Sequence, residues 1–280
     1  MMGVSPAYFV SKFSNRFSPA DVAAGIEDLP ALGFFGFQLE VFHRESLETW
    51  ARTGAADIRI KSSDLGLKAH QFVAHFMLEG FADRQSLVSN AAVENMKVVL
   101  EIAELFDECR VVTVPLPAFD YQAASNRDDY LFLFERCAAK VSRLLAMVED
   151  AGRRMALEIL PGAVVGGIDG FLRLCEQLGS DTLGFNFDTG HAWACKENLY
   201  LIPAKLGPRI LGTHLCDNFG NENLSLRPGA GSIDWPRLMA ALTVCGYNGA
   251  LDIEIVCKPD DTLREYGEGR RFIETMLRRP

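Results

Sequence analysis

The stretch Leu183-Gly-Phe-Asn-Phe-Asp188-Thr-Gly-His191 joins a short apolar run to a carboxylate and an imidazole three residues apart. An apolar run of this length with flanking glycine is typical of a buried β-strand. Asp188 and His191 are therefore predicted to lie where such a strand ends.

Three other apolar segments carry one residue of a metal-ligand type near their end. If these segments and the first are neighbouring strands, two glutamates, one aspartate and one histidine converge on a space the size of a metal ion. The three segments are Met155-Ala-Leu-Glu158-Ile-Leu-Pro, Ile210-Leu-Gly-Thr-His214-Leu-Cys-Asp217 and Ala250-Leu-Asp-Ile-Glu254-Ile-Val.

The composition is that of a soluble globular protein with a large core. The chain has 280 residues, of which 49% are hydrophobic and 23% are charged. The formal net charge of −9 argues against a nucleic acid or an anionic membrane as partner, because Lys and Arg carry phosphate binding. A small sugar or sugar phosphate is still compatible with this charge.

The cysteines and the N-terminus indicate a cytoplasmic protein. Seven cysteines are scattered without a CxxC pair, which favours buried free thiols in a reducing compartment. The N-terminus, Met1-Met-Gly-Val-Ser-Pro, has no signal-peptide pattern. No apolar run approaches the ~18 residues that span a bilayer, so no membrane partner is expected.

Strand-like and helix-like segments alternate along the whole chain and predict eight β–α units in one domain, 1–280. The predicted strands are 7–13, 36–42, 67–72, 110–116, 154–160, 183–188, 210–216 and 250–256. The predicted helices are 18–32, 44–64, 86–106, 128–151, 168–178, 197–206, 233–245 and 261–278.

The fold class predicted from this pattern is α/β, a single (β/α)8 TIM barrel. Most strands are continuous apolar runs, as expected for a parallel sheet covered by helices. An open doubly wound sheet is the alternative. It would usually have a glycine-rich phosphate loop early in the chain, whereas the first turn, Ser14-Asn-Arg-Phe-Ser-Pro, has no glycine.

Glu158, Asp188, His214 and Glu254 occupy corresponding places on the last four predicted strands, where a barrel has its active site. Acidic residues are almost never buried without a partner, so a cation is expected among them. Three carboxylates and one imidazole suit Mn²⁺ or Mg²⁺, and Co²⁺ is also compatible. A thiolate-rich zinc site is not indicated.

The sequence resembles the xylose-isomerase-like TIM barrels, and within them the sugar phosphate isomerase/epimerase family. The resemblance covers most of the chain and is densest from 150 to 256. The motifs that carry it are Ala156-Leu-Glu158-Ile, Gly184-Phe-Asn-Phe-Asp188-Thr-Gly-His191, Gly212-Thr-His214-Leu-Cys-Asp217, Pro228-Gly-Ala-Gly231-Ser-Ile-Asp-Trp235 and Gly246-Tyr-Asn-Gly249-Ala-Leu-Asp-Ile-Glu254.

The resemblance implies a role for each matching position. It makes Glu158, Asp188, His214 and Glu254 the ligands of one divalent metal ion, with Mn²⁺ first and Mg²⁺ or Co²⁺ as alternatives. It also makes Glu158 and Glu254 the catalytic acid/base pair. His191 matches a contact to a substrate hydroxyl.

Arg227 lies near a basic substrate-binding position in the loop after strand seven. For this residue the alternative is an ordinary solvated loop arginine. Fold analogy further suggests a homodimer or homotetramer.

The activity so implied is a metal-dependent sugar isomerase or epimerase that acts on a keto-sugar or polyol through an enediolate, with the two glutamates moving the proton. A lyase that eliminates a β-leaving group from the same carbanion is the nearest alternative. A non-catalytic sugar-binding barrel is a third hypothesis, and it predicts no bound metal.

Endonuclease IV-type DNA-repair enzymes share the barrel but need three metals and additional histidines. Strand four ends in Val114-Pro115 without a histidine, and Asn223 and Ser225 stand where their loop Asp and His would be. DNA cleavage is therefore not expected. His70, which matches their strand-three histidine, is then predicted to be a sugar contact or a satisfied core histidine.

Three more polar residues near the predicted mouth are assigned by position alone. Glu40 ends strand two facing the mouth and is expected to hydrogen-bond a neighbour or the substrate. His75 is expected to lie outside the pocket, and His43 to be a loop residue.

Overall fold

Eight parallel strands form one sheet in the computed structural model, which describes residues 1–121 and 127–277. The strands are β1 (Met2–Val4), β2 (Gly36–Glu40), β3 (Lys68–Val73), β4 (Val111–Leu116), β5 (Arg154–Ile159), β6 (Gly184–Asp188), β7 (Ile210–His214) and β8 (Leu251–Ile253).

The sheet closes on itself and forms the predicted (β/α)8 barrel. The strand order is β7-β6-β5-β4-β3-β2-β1-β8, so each strand pairs with its neighbour in sequence and β1 also pairs with β8. Just beyond β7, the Leu215 N–H donates to the Asp252 carbonyl at 2.8 Å, and the Glu254 N–H donates to the Leu215 carbonyl at 3.1 Å. These two hydrogen bonds join the remaining edges, and the open-sheet alternative is wrong.

Helices cover the outside of the barrel in the parts of the chain that the structure describes. None of these helices is both long and apolar enough to cross a membrane. They are α1 (Ala7–Phe13), α2 (Pro19–Gly25), α3 (Leu29–Leu32), α4 (Leu47–Thr49), α5 (Ala55–Asp64), α6 (Arg84–Val88), α7 (Met96–Glu104), α8 (Arg127–Asp150), α9 (Ile168–Leu178), α10 (Thr189–Ala194), α11 (Ile202–Leu206), α12 (Trp235–Val244) and α13 (Thr262–Leu277).

The inside of the barrel is partly polar and crowded. Gln71 donates to Thr113 Oγ1 at 2.9 Å and to Asn186 Oδ1 at 3.0 Å across the interior. A β-carbon on Gly3 would lie 2.2 Å from Asp252 Oδ1 and 2.9 Å from the Gly36 carbonyl oxygen. Only glycine therefore fits at the centre of β1.

The predicted first strand, 7–13, is wrong. Residues Ala7–Phe13 form α1, and the first strand is Met2–Val4. Short apolar runs do not distinguish a strand from a buried helix, and here Tyr8 and Phe9 are buried from a helix. A three-residue strand gives too little sequence signal to be recognised alone.

Two further predicted helices differ from those in the structure. Residues 86–106 hold the end of α6 and all of α7, separated by a turn in which Ala92 has φ +72°. Residues 197–206 contain α11 only, while α10 begins directly after β6. The Asp188 side chain accepts the His191 N–H at 2.8 Å and caps α10, so the helix starts at the site residue itself.

The long loop between β7 and α12 is organised by one buried carboxylate. Asp217 accepts hydrogen bonds from the Asn218, Gly229 and Ile233 N–H groups and from Trp235 Nε1, at 2.8–3.2 Å. Its side chain is fully buried. Four donors from distant parts of the loop therefore depend on this one carboxylate.

We expect Asp217→Asn to lower the free energy of unfolding by about 2 kcal/mol or more, because the new amide N–H₂ faces donors that then lack an acceptor. Urea unfolding followed by circular dichroism measures the change. Asp107→Asn, on an exposed turn, is the matched control. Equal stability of the two variants would contradict the role given to Asp217.

Candidate metal and active site

The four ligand-type residues come together at the carboxyl ends of neighbouring strands. Glu158 is the fifth residue of β5, Asp188 and His214 are the last residues of β6 and β7, and Glu254 directly follows β8. All four side chains lie at the same mouth of the barrel, where the pattern of the sequence places them.

Their polar atoms are close enough to share one ion. His214 Nδ1 lies 3.2 Å from Glu158 Oε1 and 2.9 Å from Glu254 Oε2. One ligand atom each of Glu158, Asp188 and His214 lie within 4.8 Å of one another, and these three residues are buried. Asp188 and Glu254 also form such a group with the Cys216 thiol.

Asp188 provides the observation that best fits a cation. Its Oδ1 accepts the His191 N–H, but its buried Oδ2 has no hydrogen-bond partner among the described residues. A buried carboxylate oxygen without a partner is costly, and a divalent ion would satisfy it. Carboxylate oxygens and a neutral imidazole nitrogen are suitable donors for Mn²⁺, Mg²⁺, Co²⁺ or Zn²⁺.

The orientation of His214 is fixed from inside the barrel. The Gln38 side-chain N–H donates to Asp252 Oδ2 at 2.8 Å, so the amide oxygen of Gln38 faces His214 Nε2 at 2.9 Å. Nε2 must then carry the proton and donate it. The lone pair of neutral His214 is thereby placed on Nδ1, toward the carboxylates, as a metal ligand requires.

The electrostatics of the cluster favour a positive charge at its centre. Burial would raise the pKa of Glu158, but the charge of His214 and its hydrogen bond lower that pKa to about 2. Burial also opposes ionisation of Glu254, yet His214 again keeps its pKa below the usual value. Conversely, Glu158 and Glu254 hold the pKa of His214 well above its usual range despite burial.

Asp188 is the carboxylate for which this cluster has no adequate counter-charge. Burial, together with the negative charges of Glu254 and Glu158, raises its pKa to about 7, and His191 offsets only part of this effect. Ionised Asp188 is therefore unfavourable at neutral pH unless a cation binds beside it.

His191 faces the same cluster from the first turn of α10. Its Nε2 lies 3.4 Å from Asp188 Oδ2 and 3.7 Å from Glu158 Oε1. The Asn223 side chain lies 3.2 Å from Nδ1, where its N–H₂ can donate. With Nδ1 as acceptor, Nε2 carries the proton and is available as a donor in the cavity.

A cavity of about 170 Å³ opens above these residues, far more than the roughly 10–15 Å³ that one water needs. Most of its lining outside the cluster is apolar. The lining residues are Pro6, Ala7, Val10, Glu40, Phe42, Val73, His75, Pro115, Glu158, Leu160, His191, His214, Glu254 and Val256.

Two sequence-predicted substrate residues lie elsewhere. His70 Nε2 bonds to Asp252 Oδ2 at 2.8 Å inside the barrel, as the core-histidine alternative expects. Arg227 pairs with Glu265 at 3.0 Å and Glu268 at 3.4 Å on α13. Neither residue lines the cavity, so the structure gives no support to their predicted contacts with substrate.

One other residue of the site was predicted in the wrong place, and three were not predicted from the sequence. His75 lines the cavity, so its expected position outside the pocket is wrong, whereas Glu40 faces the mouth as predicted. Gln38, Asn223 and Cys216 were not identified as site residues. Gln38 precedes Glu40 by two residues, so the same-face periodicity of a strand could have pointed to it.

The chain belongs to the xylose isomerase-like TIM barrel family, whose model matches residues 26–276. An uncharacterised protein of Methanocaldococcus jannaschii is 28% identical over 46% of this chain and 47% of its own length. An inosose isomerase of Bacillus velezensis is 24% identical over 57% of this chain and 60% of its own length. The matched region is thus less than two thirds of either relative.

Solved structures share the fold at lower identity. A D-psicose 3-epimerase from Clostridium cellulolyticum H10, solved with D-tagatose, superposes with a TM-score of 0.77 at 15% identity and covers 99% of both chains. An IOLI protein with a bound zinc atom gives a TM-score of 0.75 at 15% identity and covers 99% of this chain and 96% of the other.

We expect Asp188→Asn to stabilise the metal-free protein while abolishing tight binding of Mn²⁺. The folded pKa of Asp188 is raised, so the folded state holds a proton that the unfolded state releases between about pH 4 and pH 7. Stability therefore falls as pH rises through this window. The melting temperature of the variant should exceed that of the wild type by about 2 °C or more at pH 8, with little difference at pH 4.

Differential scanning calorimetry of chelator-treated protein measures this gain, and isothermal titration with MnCl₂ measures the binding. Asp107→Asn is again the matched control. A variant that binds Mn²⁺ like the wild type, or that melts lower at pH 8, would contradict this account of Asp188.

We expect Gln38→Met to weaken Mn²⁺ binding by about 10–100-fold, because His214 loses the acceptor that fixes its orientation and tautomer. Isothermal titration of the chelator-treated protein measures the affinity. Gln177→Met, on the exposed end of α9, should bind as the wild type does. Unchanged affinity in the Gln38 variant would show that other contacts orient the ring.

Proposed function

We propose that this protein is a divalent-metal-dependent isomerase or epimerase of a keto-sugar or related polyol. The observation that carries the proposal is the pair of carboxylates, Glu158 and Glu254, which approach His214 Nδ1 together at one open cavity. The similarity to inosose isomerases and to a structure named a D-psicose 3-epimerase supports this reaction class.

Glu158, Asp188, His214 and Glu254 would hold the ion. When bound, a divalent cation supplies charge that polarises a substrate carbonyl and stabilises the enediolate formed by loss of the α-proton. We propose Mn²⁺ first, with Mg²⁺ or Co²⁺ as alternatives. The zinc atom named for the similar IOLI structure and the nearby Cys216 thiol make Zn²⁺ the competing outcome of metal analysis.

The protein residues would carry out the proton transfers. The lowered pKa values of Glu158 and Glu254 leave both carboxylates ionised at neutral pH, as a base requires. One of them removes the proton next to the carbonyl. The other, on a different strand, takes up a proton from solvent and returns it to the opposite face or to the neighbouring carbon. His191 Nε2 donates a hydrogen bond to a substrate oxygen.

The dry surroundings of the cluster strengthen these interactions. Glu158, Asp188 and His214 are at most 6% exposed, so charges act on one another with little screening by water. The apolar walls of the cavity suit the carbon skeleton of a sugar and keep water from the carbanion.

We expect Glu158→Gln and Glu254→Gln each to lower kcat by at least roughly 10²-fold, because a positioned carboxylate contributes about 10²–10⁴-fold to proton transfer. Turnover of D-tagatose, L-ribulose and an inosose is measured with the metal-loaded protein. Circular dichroism should show an intact fold, and Glu176→Gln on the exposed face of α9 is the matched control.

The same reactions in D₂O distinguish the reaction classes. An isomerase or epimerase incorporates solvent deuterium at carbon into product and recovered substrate. A gain of enone absorbance would instead establish the lyase alternative. Near-normal activity of either Gln variant would overturn the assignment of the acid/base pair, and absence of metal and turnover would favour a binding protein.

A further inference from the structure

The same cavity holds a carboxyl group to which no role in metal binding or proton transfer has been assigned. Glu40 ends β2 and lines the cavity, and only 4% of its surface is exposed. Its Oε2 is buried and has no hydrogen-bond partner among the residues that the structure describes. Its Oε1 has His75 Nδ1 at 3.5 Å, too long for a good hydrogen bond.

A buried carboxyl group in this condition lacks partners that a ligand could provide. Burial and the negative charge of Glu254 raise the pKa of Glu40 well above its usual value. The neutral group offers an acceptor oxygen and an O–H donor, and leaving such buried polar groups unsatisfied costs more than a hydrogen bond to them returns. Glu40 is not in either group of residues whose ligand atoms lie close enough to hold a metal. An O–H group of a molecule in the cavity is therefore the partner that this geometry suits.

His75 gives this position a second polar group and a rigid support. Its ring stacks on Phe42 with the centroids 4.0 Å apart and the planes 18° apart, and both residues line the cavity. Burial lowers the pKa of His75, so the ring is neutral near pH 7 and can donate through one nitrogen and accept through the other.

The charge of the cavity also indicates which ligands fit. Among its lining residues, neither a lysine nor an arginine is present. Arg227, which the sequence resemblance placed near a substrate-binding position, is paired with Glu265 and Glu268. A phosphate usually needs such cationic groups or a helix N-terminus, and the lining residues of this cavity offer it no cationic side chain.

We propose that Glu40 and His75 form a hydroxyl-recognition subsite that binds an uncharged polyol and disfavours its phosphate ester. The inference rests on the proposed function and specifies its substrate class. The carbonyl end of the substrate lies at the metal cluster, and a hydroxyl further along the carbon chain or ring forms a hydrogen bond with Glu40 Oε2. His75 contacts the same or the next hydroxyl.

The test compares wild-type, Glu40→Gln and Glu40→Ala proteins, all metal-loaded, with Glu45→Gln as the exposed control. Steady-state kinetics are measured with D-tagatose and L-ribulose and with D-tagatose 6-phosphate and L-ribulose 5-phosphate. We expect Glu40→Ala to raise KM for a turned-over free sugar by about tenfold, since the substrate hydroxyl loses its partner, with a smaller change in kcat. Glu40→Gln keeps an acceptor oxygen and a donor group and should raise KM less, and metal content should stay equal.

The wild type should prefer the free sugar to its phosphate ester by at least tenfold in kcat/KM, and Glu40→Ala should narrow this ratio. An unchanged KM in both Glu40 variants would overturn the subsite, as would wild-type preference for the phosphate ester. Loss of metal from Glu40→Gln would identify Glu40 as part of the metal centre and would also overturn it. If the wild-type protein converts none of the four compounds, the proposed function and this inference fail together. If the wild type is active and the Glu40 variants have the same KM, only this inference is contradicted.

Discussion

Buried negative charge at the carboxyl ends of the strands is the constraint on which the rest of the site depends. Glu158, Asp188 and Glu254 share one poorly hydrated space, with His214 between the two glutamates and His191 facing Asp188. One imidazolium satisfies two of the carboxylates and leaves Asp188 with an orphaned oxygen and a pKa raised to about 7. A cation bound beside Asp188 would remove this conflict.

The polar interior of the barrel gives the cluster its geometry. Gln38 links the outer nitrogen of His214 to Asp252, and Asp252 is held in turn by His70. Asn186, from β6, donates weakly to Glu158 at 3.4 Å. These groups lie on different strands, so the site residues take their orientation only when the barrel is closed. Asp252 Oδ1 is the atom of this network that has no hydrogen-bond partner among the described residues.

One cavity is lined by reactive and by recognition groups. Its polar lining residues are Glu158, His191, His214 and Glu254 together with Glu40 and His75, and its other lining residues are apolar. Such a lining lets one part of a ligand react while another part is recognised. It also explains why a residue can be essential for specificity without belonging to the acid/base pair.

The sequence by itself determined the alternating β–α pattern, the barrel, and the strand ends that carry Glu158, Asp188, His214 and Glu254. Apolar strand runs and ligand-type residues at matching places are local signals, so they could be identified without coordinates. The tertiary structure alone decided that His75 faces the cavity while His70 and Arg227 do not, and that Gln38 orients His214. Which way these side chains point depends on where each strand begins in the closed barrel and on partners that are 176 residues apart in the case of Gln38 and His214. The three-residue first strand was likewise beyond sequence reasoning, because its pairing with β2 and β8, and not its composition, makes it a strand.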